Sequence, residues 1–250
     1  MRIAALYDVH GNLPALEAVL AEVESLGVDA IVVGGDIAIG PMPREALERL
    51  LALGERALFL RGNGDREIAE GPNPEDSELW ADRTRWSAEQ LERGQRAWLA
   101  GLPDTQALEV DGLGPILFCH GAPRSDEEIL TRISPEARVA AALAEVQEAV
   151  VVCGHTHVQY DRQVAGKRLV NAGSVGMPYE ARPGAYWALL GPEVGLRRTD
   201  YDLEAAAAAI RATGFPSAEE LAAENILTVP SAEEATEQFE AMAREAEAPK

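Results

Sequence analysis

Residues 2–12 read Arg-Ile-Ala-Ala-Leu-Tyr-Asp-Val-His-Gly-Asn, and this stretch decides the fold. An apolar run up to Tyr7 stops at Asp8, which is the pattern of a buried strand that ends in polar residues. Asn12 is suited to be the N-cap of a helix, and apolar residues at helical spacing continue to Gly27, a good stop signal. The stretch therefore predicts a strand followed directly by a helix.

The same alternation continues along the first part of the chain. Apolar runs at 30–33 and 57–60 are predicted strands, and residues 43–53 between them are a predicted helix. Further strands are predicted at 116–119 and 149–153. A β-α-β-α-β order predicts a parallel sheet covered by helices.

The pattern changes after residue 158, where glycine and proline turns separate strand candidates that have no helical period. These candidates predict an antiparallel sheet. They lie at 158–164, 167–171, 185–190 and 194–201. We expect one domain over residues 1–201 and an acidic helical extension over 202–250, packed on or beside that domain.

The acidic extension is predicted to be a solvated helical face or a dimer contact rather than part of a site. Within it, Ser217 with Glu220 and Ser231 with Glu234 have the spacing of helix capping boxes.

Composition and charge exclude several classes of protein. Hydrophobic residues make up 47% and charged residues 26% of the chain, as in ordinary globular proteins. No apolar run approaches the ~18 residues that a membrane span needs, and the first apolar run is too short for a signal peptide, so a cytoplasmic protein is expected. A net charge of −20 disfavours long nucleic acid as a partner.

Every histidine of the chain follows an apolar run, together with several aspartates and an asparagine. Ligands of open α/β sheets bind beyond the carboxyl ends of the strands, so these segments are expected to converge on one site. Such side chains, without a thiolate, suit Mn²⁺, Fe²⁺, Zn²⁺ or Mg²⁺. Seven ligands are too many for one catalytic ion but fit two ions that share a carboxylate. The candidates are Asp8, His10, Asp36, Asn63, His120, His155 and His157.

Two divalent ions would also give this acidic chain a way to attract an anion. They bring four positive charges, of which Asp8 and Asp36 cancel two. A pair of ions about 3.5–4 Å apart clamps the attacking and leaving oxygens of an in-line phosphoryl displacement. A bridging water would lose a proton near neutral pH and become the nucleophile. The pattern therefore predicts a binuclear phosphoesterase.

The ordered motifs resemble the signature of calcineurin-like metallophosphoesterases. The resemblance covers roughly residues 1–200. Within the family, the chain is most similar to the small prokaryotic branch, which includes phosphodiesterases and diadenosine-tetraphosphatase-like proteins. It implies a four-layer α-β-β-α sandwich of two mixed sheets. The matching blocks are Asp8-Val9-His10-Gly11-Asn12, Gly35-Asp36, Gly62-Asn63-Gly64-Asp65, His120 and Gly154-His155-Thr156-His157.

The resemblance also implies roles for the matching residues. Asp8, His10 and His157 would hold the first ion. Asn63, His120 and His155 would hold the second, and Asp36 would bridge the two. Mn²⁺ is the expected metal, with Fe²⁺, Zn²⁺, Mg²⁺ or Ni²⁺ as alternatives. The residues predicted to act in catalysis are Asp36, Asn63, Asp65 and His120.

The chain departs from the family pattern at Gly64, where phosphatases of the family carry a histidine that is thought to protonate the leaving group. General acid catalysis contributes about 10²–10⁴-fold, so its absence favours leaving groups that need little protonation. A phosphodiesterase is therefore expected. Asp65 keeps the acidic position of the family but lacks its usual partner.

Other polar and aromatic residues have two interpretations each. Asn12 is interpreted as an N-cap, with a phosphate contact as the alternative. Arg61 and Arg124 lie beside motif blocks and would either bind phosphate or form surface ion pairs. Three tryptophans are interpreted as the core of a helical region, with a pocket lining as the alternative. They are Trp80, Trp86 and Trp98.

Alternative functions stay open at this stage. Within the same fold, the substrate could be a dinucleoside polyphosphate or a phosphoprotein instead of a small phosphodiester. In a different class, relatives of this fold act as non-catalytic interaction scaffolds after losing ligands. A small phosphoester is the expected partner, no membrane is expected, and a homo-oligomer is an open alternative.

Overall fold

The structure is a computed structural model that describes residues 1–247. Its strands are β1 (Ile3–Leu6), β2 (Ala30–Val33), β3 (Ala57–Phe59), β4 (Thr105–Val110), β5 (Gly114–Cys119), β6 (Val150–Cys153), β7 (Tyr160–Val164), β8 (Lys167–Asn171), β9 (Ala185–Leu190) and β10 (Val194–Thr199). Its helices are α1 (Leu13–Leu26), α2 (Pro43–Leu51), α3 (Asn63–Glu70), α4 (Glu78–Gln90), α5 (Arg93–Ala100), α6 (Glu136–Ala142), α7 (Leu203–Arg211), α8 (Ala218–Leu221) and α9 (Ala232–Glu247). A 3₁₀ turn, Gly54–Arg56, precedes β3, and a π-helical turn, Ala222–Leu227, continues α8.

The strands form two mixed sheets of five strands each. The first has the order β10-β9-β1-β2-β3, in which β1, β2 and β3 are parallel and the other two strands are antiparallel. The second has the order β4-β5-β6-β8-β7, with a parallel centre formed by β5, β6 and β8 and antiparallel strands at both edges. Each sheet therefore presents the carboxyl ends of three parallel strands on one side.

Alternating side chains of each strand pack into different layers. Ala5 of β1 and the following Tyr7 face the second sheet, where the Tyr7 hydroxyl donates to the carbonyl of Val152. Leu6 points to the opposite face and packs with Leu16 of α1. Because successive strand residues point to opposite faces, one apolar run serves both the inter-sheet core and the helical layer. With α6 packed on the outer face of the second sheet, the predicted four-layer α-β-β-α sandwich is confirmed.

The start and end of α1 follow the prediction closely. Asn12 accepts a hydrogen bond from the backbone N–H of Ala15 at 3.2 Å, which is the N-cap interaction. Gly27 ends the helix with φ +61°, a left-handed conformation that glycine adopts without strain. The helix therefore begins immediately after the polar residues that follow β1.

The prediction of one antiparallel sheet after residue 158 is wrong. The four strands form two hairpins, and each hairpin joins a different sheet. β7 and β8 extend the second sheet through parallel pairing of β8 with β6, whereas β9 and β10 extend the first sheet through antiparallel pairing of β9 with β1. The strand periodicity reports a half-buried surface but not which neighbouring strand covers it. β4, whose residues are largely half-exposed, was not predicted.

The last helices pack onto the sandwich through small apolar residues and one buried carboxylate. Ile210 of α7 lies in an apolar cluster that includes Trp86. On α9, Glu240 is buried and accepts hydrogen bonds from Thr131 at 2.6 Å, from Arg138 at 2.8 Å and from Ser134. Glu240 thus attaches α9 to α6 and to the segment before it.

Of the two predicted capping boxes, only that of Ser231 and Glu234 makes the N-cap hydrogen bond, and there the Glu234 carboxylate accepts from the Ser231 hydroxyl at 2.7 Å. Ser231 caps α9 by accepting the N–H of Glu234 at 3.2 Å. Ser217 makes no such bond and has φ +61°, so that prediction is wrong. Among the helices that the structure describes, none is long and apolar enough to cross a membrane.

Candidate metal centre

The predicted ligand side chains converge at the carboxyl ends of the parallel strands. Asp8, His10 and His157 form one compact group, and Asp8, Asp36 and His120 form a second, each with ligand atoms within 4.8 Å of one another. In the first group, Nε2 of His10 lies 3.1 Å from Nε2 of His157. In the second, Nε2 of His120 lies 3.7 Å from Oδ1 of Asp36. The first group is the set that the sequence resemblance implies for the first ion.

Asp36 faces both groups. Its Oδ1 is the atom near His120, and its Oδ2 lies 3.8 Å from Nε2 of His10. Asp8 is also shared, because its Oδ1 lies 3.4 Å from Nε2 of His157 and 3.8 Å from Nε2 of His120. Each of the two carboxylates therefore lies close to the imidazoles of two histidines.

The remaining two predicted ligands lie next to His120. Oδ1 of Asn63 is 3.2 Å from Nε2 of His120. The ring of His155 packs edge-on against the ring of His120, with centroids 5.2 Å apart, and its backbone N–H donates to Oδ2 of Asp8 at 2.9 Å. All seven side chains thus lie in one region, as the strand-end pattern predicted.

Backbone carbonyls orient three of the imidazoles. Nδ1 of His10 lies 3.1 Å from the carbonyl of Ile39, Nδ1 of His120 lies 2.8 Å from that of Gly34, and Nδ1 of His157 lies 2.7 Å from that of Met177. An Nδ1–H that donates to a carbonyl leaves the Nε2 lone pair available. This is the usual arrangement of metal-binding histidines.

The donor set fits divalent cations, and a buried atom of Asp8 supports this. Within residues 1–247, Oδ1 of Asp8 is buried and has no hydrogen-bond partner. Buried polar atoms are nearly always hydrogen-bonded, so an orphaned carboxylate oxygen among three Nε2 atoms requires an explanation. A cation that accepts oxygen and imidazole nitrogen ligands provides one.

Five of the seven predicted ligands have left-handed backbone conformations. Their φ angles lie between +47° and +66°, a region that non-glycine residues rarely adopt and that costs about 1–3 kcal/mol per residue. Hydrogen bonds between the loop after β1 and the loop after β2 hold part of this geometry, for example from the N–H of His10 to the carbonyl of Asp36 at 2.9 Å. The five are Asp8, His10, Asp36, His155 and His157.

Burial and neighbouring charges shift the pKa values of the centre in opposite directions. Burial raises the pKa of Asp36 to about 7, although the His120 charge opposes the shift. For Asp8 burial also acts to raise the pKa, but the interactions with His157, His120 and His10 together outweigh it and the pKa is lowered. Burial, reinforced by His157, lowers the pKa of His10 to about 3. The imidazole of His10 is therefore neutral at pH 7, as a metal ligand must be.

The carboxylate of Asp65 is bonded to backbone N–H groups from two loops. Its Oδ1 accepts the backbone N–H groups of Ile37 at 2.9 Å and Ala38 at 3.3 Å, and its Oδ2 accepts that of Gly62 at 3.2 Å. The carboxylate is fully buried. It thus joins the loops that carry Asp36 and Asn63, and its catalytic role stays a prediction.

The predicted phosphate-binding side chains have other partners. Asn12 is buried, and its Nδ2 donates to the carbonyl of Gly176 at 2.9 Å while its Oδ1 caps α1. Arg61 donates to Asp104 at 2.6 Å, and Arg124 pairs with Glu128 at 2.6 Å. Both arginines line a separate cavity of about 230 Å³. A contact of any of the three with phosphate stays a prediction.

A cavity of about 680 Å³ opens directly onto the ligand groups. His10, Asp36, Asn63, His155 and His157 form its floor. Its walls come from α3, α4, the segment around Tyr179, and α9.

The contribution of α9 was missed by the prediction that the acidic extension is not part of a site. Phe239 of α9 lies 6.3 Å from the His155 ring and 6.2 Å from the Tyr179 ring, measured between centroids. Trp80 also lines the cavity, which was the alternative interpretation of the tryptophans, whereas Trp86 packs against Phe215. The sequence signal that indicated this contact was the presence of Phe239 and Met242 on the otherwise acidic helix α9.

Comparison with known proteins agrees with this geometry. Residues 1–191 match the family model of the calcineurin-like phosphoesterase superfamily domain. The chain therefore belongs to the calcineurin-like phosphoesterase superfamily, and membership implies a hydrolase of phosphoesters that uses divalent metal ions.

Individual relatives extend the similarity over most of the chain. The uncharacterized protein MJ0912 of Methanocaldococcus jannaschii is 25% identical in an alignment of 225 residues, and the match covers 82% of this chain and 89% of that protein. A metallophosphoesterase structure from Sphaerobacter thermophilus has 28% identity and a TM-score of 0.69, covering 89% of this chain and 98% of that one. The hypothetical protein PH1004 of Pyrococcus horikoshii shares the fold, with a TM-score of 0.79 at 22% identity over 92% of this chain and 99% of that one.

Proposed function

We propose that this chain is a binuclear metal-dependent phosphoesterase that prefers phosphodiesters. The observation that carries the proposal is the position of Asp36, whose two oxygens lie 3.7 Å from His120 and 3.8 Å from His10. A carboxylate in this position joins two ligand groups into one centre. Asp8, His10 and His157 would hold one ion, and Asn63, His120 and His155 the other.

When bound, two divalent ions supply Lewis-acid activation of water and of phosphoryl oxygens. The protein contributes the geometry. Carbonyls of Ile39, Gly34 and Met177 fix the tautomers of His10, His120 and His157. The N–H of Gly64 donates to Oδ1 of Asp36 at 2.8 Å and fixes the rotation of that carboxylate. The side chains are thus oriented before any ligand arrives.

The charge of the cavity supports the preference for diesters. Among residues 1–247, the side chains that line it include no lysine or arginine, and several are carboxylates. A phosphomonoester dianion or a polyphosphate would meet this wall with more negative charge than a phosphodiester monoanion. At Gly64 there is also no side chain to protonate an alkoxide leaving group.

The direct experiment compares the turnover of bis-p-nitrophenyl phosphate and p-nitrophenyl phosphate with and without Mn²⁺. We expect Mn²⁺-dependent hydrolysis with the higher kcat/KM for the diester. His157→Ala is expected to lose this activity, whereas Glu17→Gln, an exposed carboxylate on α1, is the matched control and is expected to retain it. Higher kcat/KM for the monoester would overturn the diester preference, and full activity after chelation would overturn the metal dependence.

A further inference from the structure

The cavity wall beyond the ligand groups is acidic. Four carboxylates line it, and we refer to them as the acidic wall: Glu67, Glu75, Asp76 and Glu127. Arg66 lies beside this wall, where it binds Asp126 at 2.8 Å and also Glu127, and it is not among the residues that line the cavity. Glu67, Asp76 and Glu127 share this one guanidinium with Asp126, so these five groups together carry a net negative charge.

Charges within the acidic wall act on one another. Oδ2 of Asp76 accepts the N–H of Asn73 at 2.7 Å, so this carboxylate has a fixed position. Burial raises the pKa of Asp76 and the negative charge of Glu127 adds to the shift, while the hydrogen bond from Asn73 and the charge of Arg66 oppose it. A cation bound beside Asp76 and Glu127 would relieve this repulsion.

Aromatic rings line the same cavity as the acidic wall. They belong to Trp80 on α4, Tyr179, and Phe239 on α9. Tyr179 and Phe239 are neighbours with centroids 6.2 Å apart. The indole N–H of Trp80 donates to Glu67 at 2.6 Å, so that an aromatic ring and a carboxylate are held together. Aromatic faces and carboxylates in one cavity are the combination that recognises ammonium groups.

We infer that the cavity selects phosphodiesters in which one of the two alcohols carries an ammonium group. The inference rests on the proposed function and specifies its substrate class. The phosphodiester monoanion would lie on the floor formed by the ligand groups, and the ammonium group would contact the acidic wall and the aromatic rings. A zwitterionic substrate of this kind matches both halves of the cavity, whereas a polyanionic one matches the floor alone.

The test uses two substrates that differ only in charge. p-Nitrophenyl phosphorylcholine carries a quaternary ammonium, and p-nitrophenyl 3,3-dimethylbutyl phosphate has a neutral carbon in its place, with the same leaving group and shape. With Mn²⁺-loaded protein we expect kcat/KM to be about tenfold higher for the choline ester, mainly through KM. Increasing the ionic strength is expected to reduce the ratio, because part of the attraction is electrostatic.

Variants locate the source of the preference. Asp76→Asn preserves the shape and the acceptor for Asn73, and we expect it to reduce the ratio about threefold. Glu78→Gln, on the first turn of α4 and outside the cavity lining, is the matched control and is expected to leave the ratio unchanged. The unfolding midpoint of each variant shows whether its fold is intact.

The possible outcomes separate this inference from the proposed function. Equal kcat/KM for the two esters in the unmodified protein overturns the inference and leaves the phosphodiesterase proposal standing. A ratio that Asp76→Asn and salt both fail to change overturns the role of the acidic wall. Absence of turnover of both esters and of bis-p-nitrophenyl phosphate overturns the proposed function itself.

Discussion

A Cβ atom on Gly64 would lie 2.5 Å from Cγ2 of Ile39. It would also lie 3.0 Å from Oδ1 of Asp36, the atom to which the N–H of Gly64 donates. Ile39 is buried and branched at Cβ, so it has little freedom to move aside. Ile39 and Asp36 therefore leave no room for a larger residue at position 64. The glycine has a steric reason as well as a catalytic consequence.

Replacement of Gly64 by histidine is accordingly expected to destabilise the protein by about 1–3 kcal/mol through overpacking against Ile39. The free energy of unfolding in urea measures this effect. Gly94→His is the matched control, because nothing lies within 4 Å of a Cβ built on Gly94 of α5. Adding Ile39→Ala to Gly64→His is expected to recover part of the loss, and equal stability of Gly64→His and the unmodified protein would contradict the steric argument.

Metal removal should abolish activity, and ligand variants should differ in their metal content. Elemental analysis of the purified, Mn²⁺-loaded protein is expected to give roughly two ions per chain. His157→Ala removes a ligand from one group and is expected to retain roughly one ion, whereas Asp36→Asn weakens the residue that faces both groups and is expected to lose both. The same content in both variants would show that Asp36 does not join the two groups.

Glu67 and Trp80 are expected to support metal binding through Asn63. Oε1 of Glu67 lies 3.5 Å from Nδ2 of Asn63, and Oε2 accepts the indole N–H of Trp80 at 2.6 Å. This arrangement turns Oδ1 of Asn63 toward His120. Glu67→Ala is expected to weaken Mn²⁺ binding about 10–100-fold in titration calorimetry, because partners of metal ligands have effects of this size.

Two further variants test the same chain of contacts. Trp80→Phe removes only the donor to Glu67 and is expected to have a smaller effect on Mn²⁺ affinity than Glu67→Ala. Glu70→Ala, an exposed residue at the end of the same helix, is expected to have none. If Glu70→Ala and Glu67→Ala weaken binding equally, the effect is one of helix charge and not of orientation.

The attachment of α9 through Glu240 predicts a pH dependence of stability. Burial opposes ionisation of Glu240, but hydrogen bonds from Ser134, Thr131 and Arg138 outweigh it and lower its pKa. Because the pKa is lower in the folded state, this contribution is fully present above the unfolded pKa of about 4.5 and is lost as the pH falls through the folded pKa. Glu240→Gln is expected to reduce stability at pH 7 by about 1–3 kcal/mol.

Urea unfolding at several pH values measures this dependence. The difference between Glu240→Gln and the unmodified protein is expected to be constant from pH 6 to 8 and to shrink below about pH 4.5. Glu233→Gln removes an exposed ion pair with Arg132 and serves as the control, with little change expected. A difference that stays constant down to pH 3 would contradict the assigned role of the Glu240 carboxylate.

Much of the centre could be predicted because strand ends are visible in the sequence. Asp8, Asp36 and His120 each follow an apolar run, and ligands of such sheets bind beyond the carboxyl ends of the strands. Asp8 and Asp36 follow strands of the first sheet and His120 follows β5 of the second, so the site lies where the strand ends of both sheets meet. Asn12 was interpreted correctly as an N-cap because its chemistry is local, with its partner three residues away.

Other features depend on long-range contacts that a local pattern does not contain. Asp65 binds backbone groups 27 and 28 residues away, and its position in a motif gave no indication of this. Likewise, the approach of Phe239 to His155 depends on how α9 docks through Glu240. The pairing of the last two hairpins with different sheets is also a tertiary choice, since the strand period is the same in either sheet.

The left-handed conformations of the ligand residues imply that metal binding contributes to the folding stability of the protein. Five such residues at about 1–3 kcal/mol each amount to a penalty comparable with the whole stability of a typical domain. Cations that bind the native chain and not the unfolded one offset that penalty by mass action. The supply of metal in the cell would then govern how long the protein survives proteolysis as well as how fast it turns over substrate.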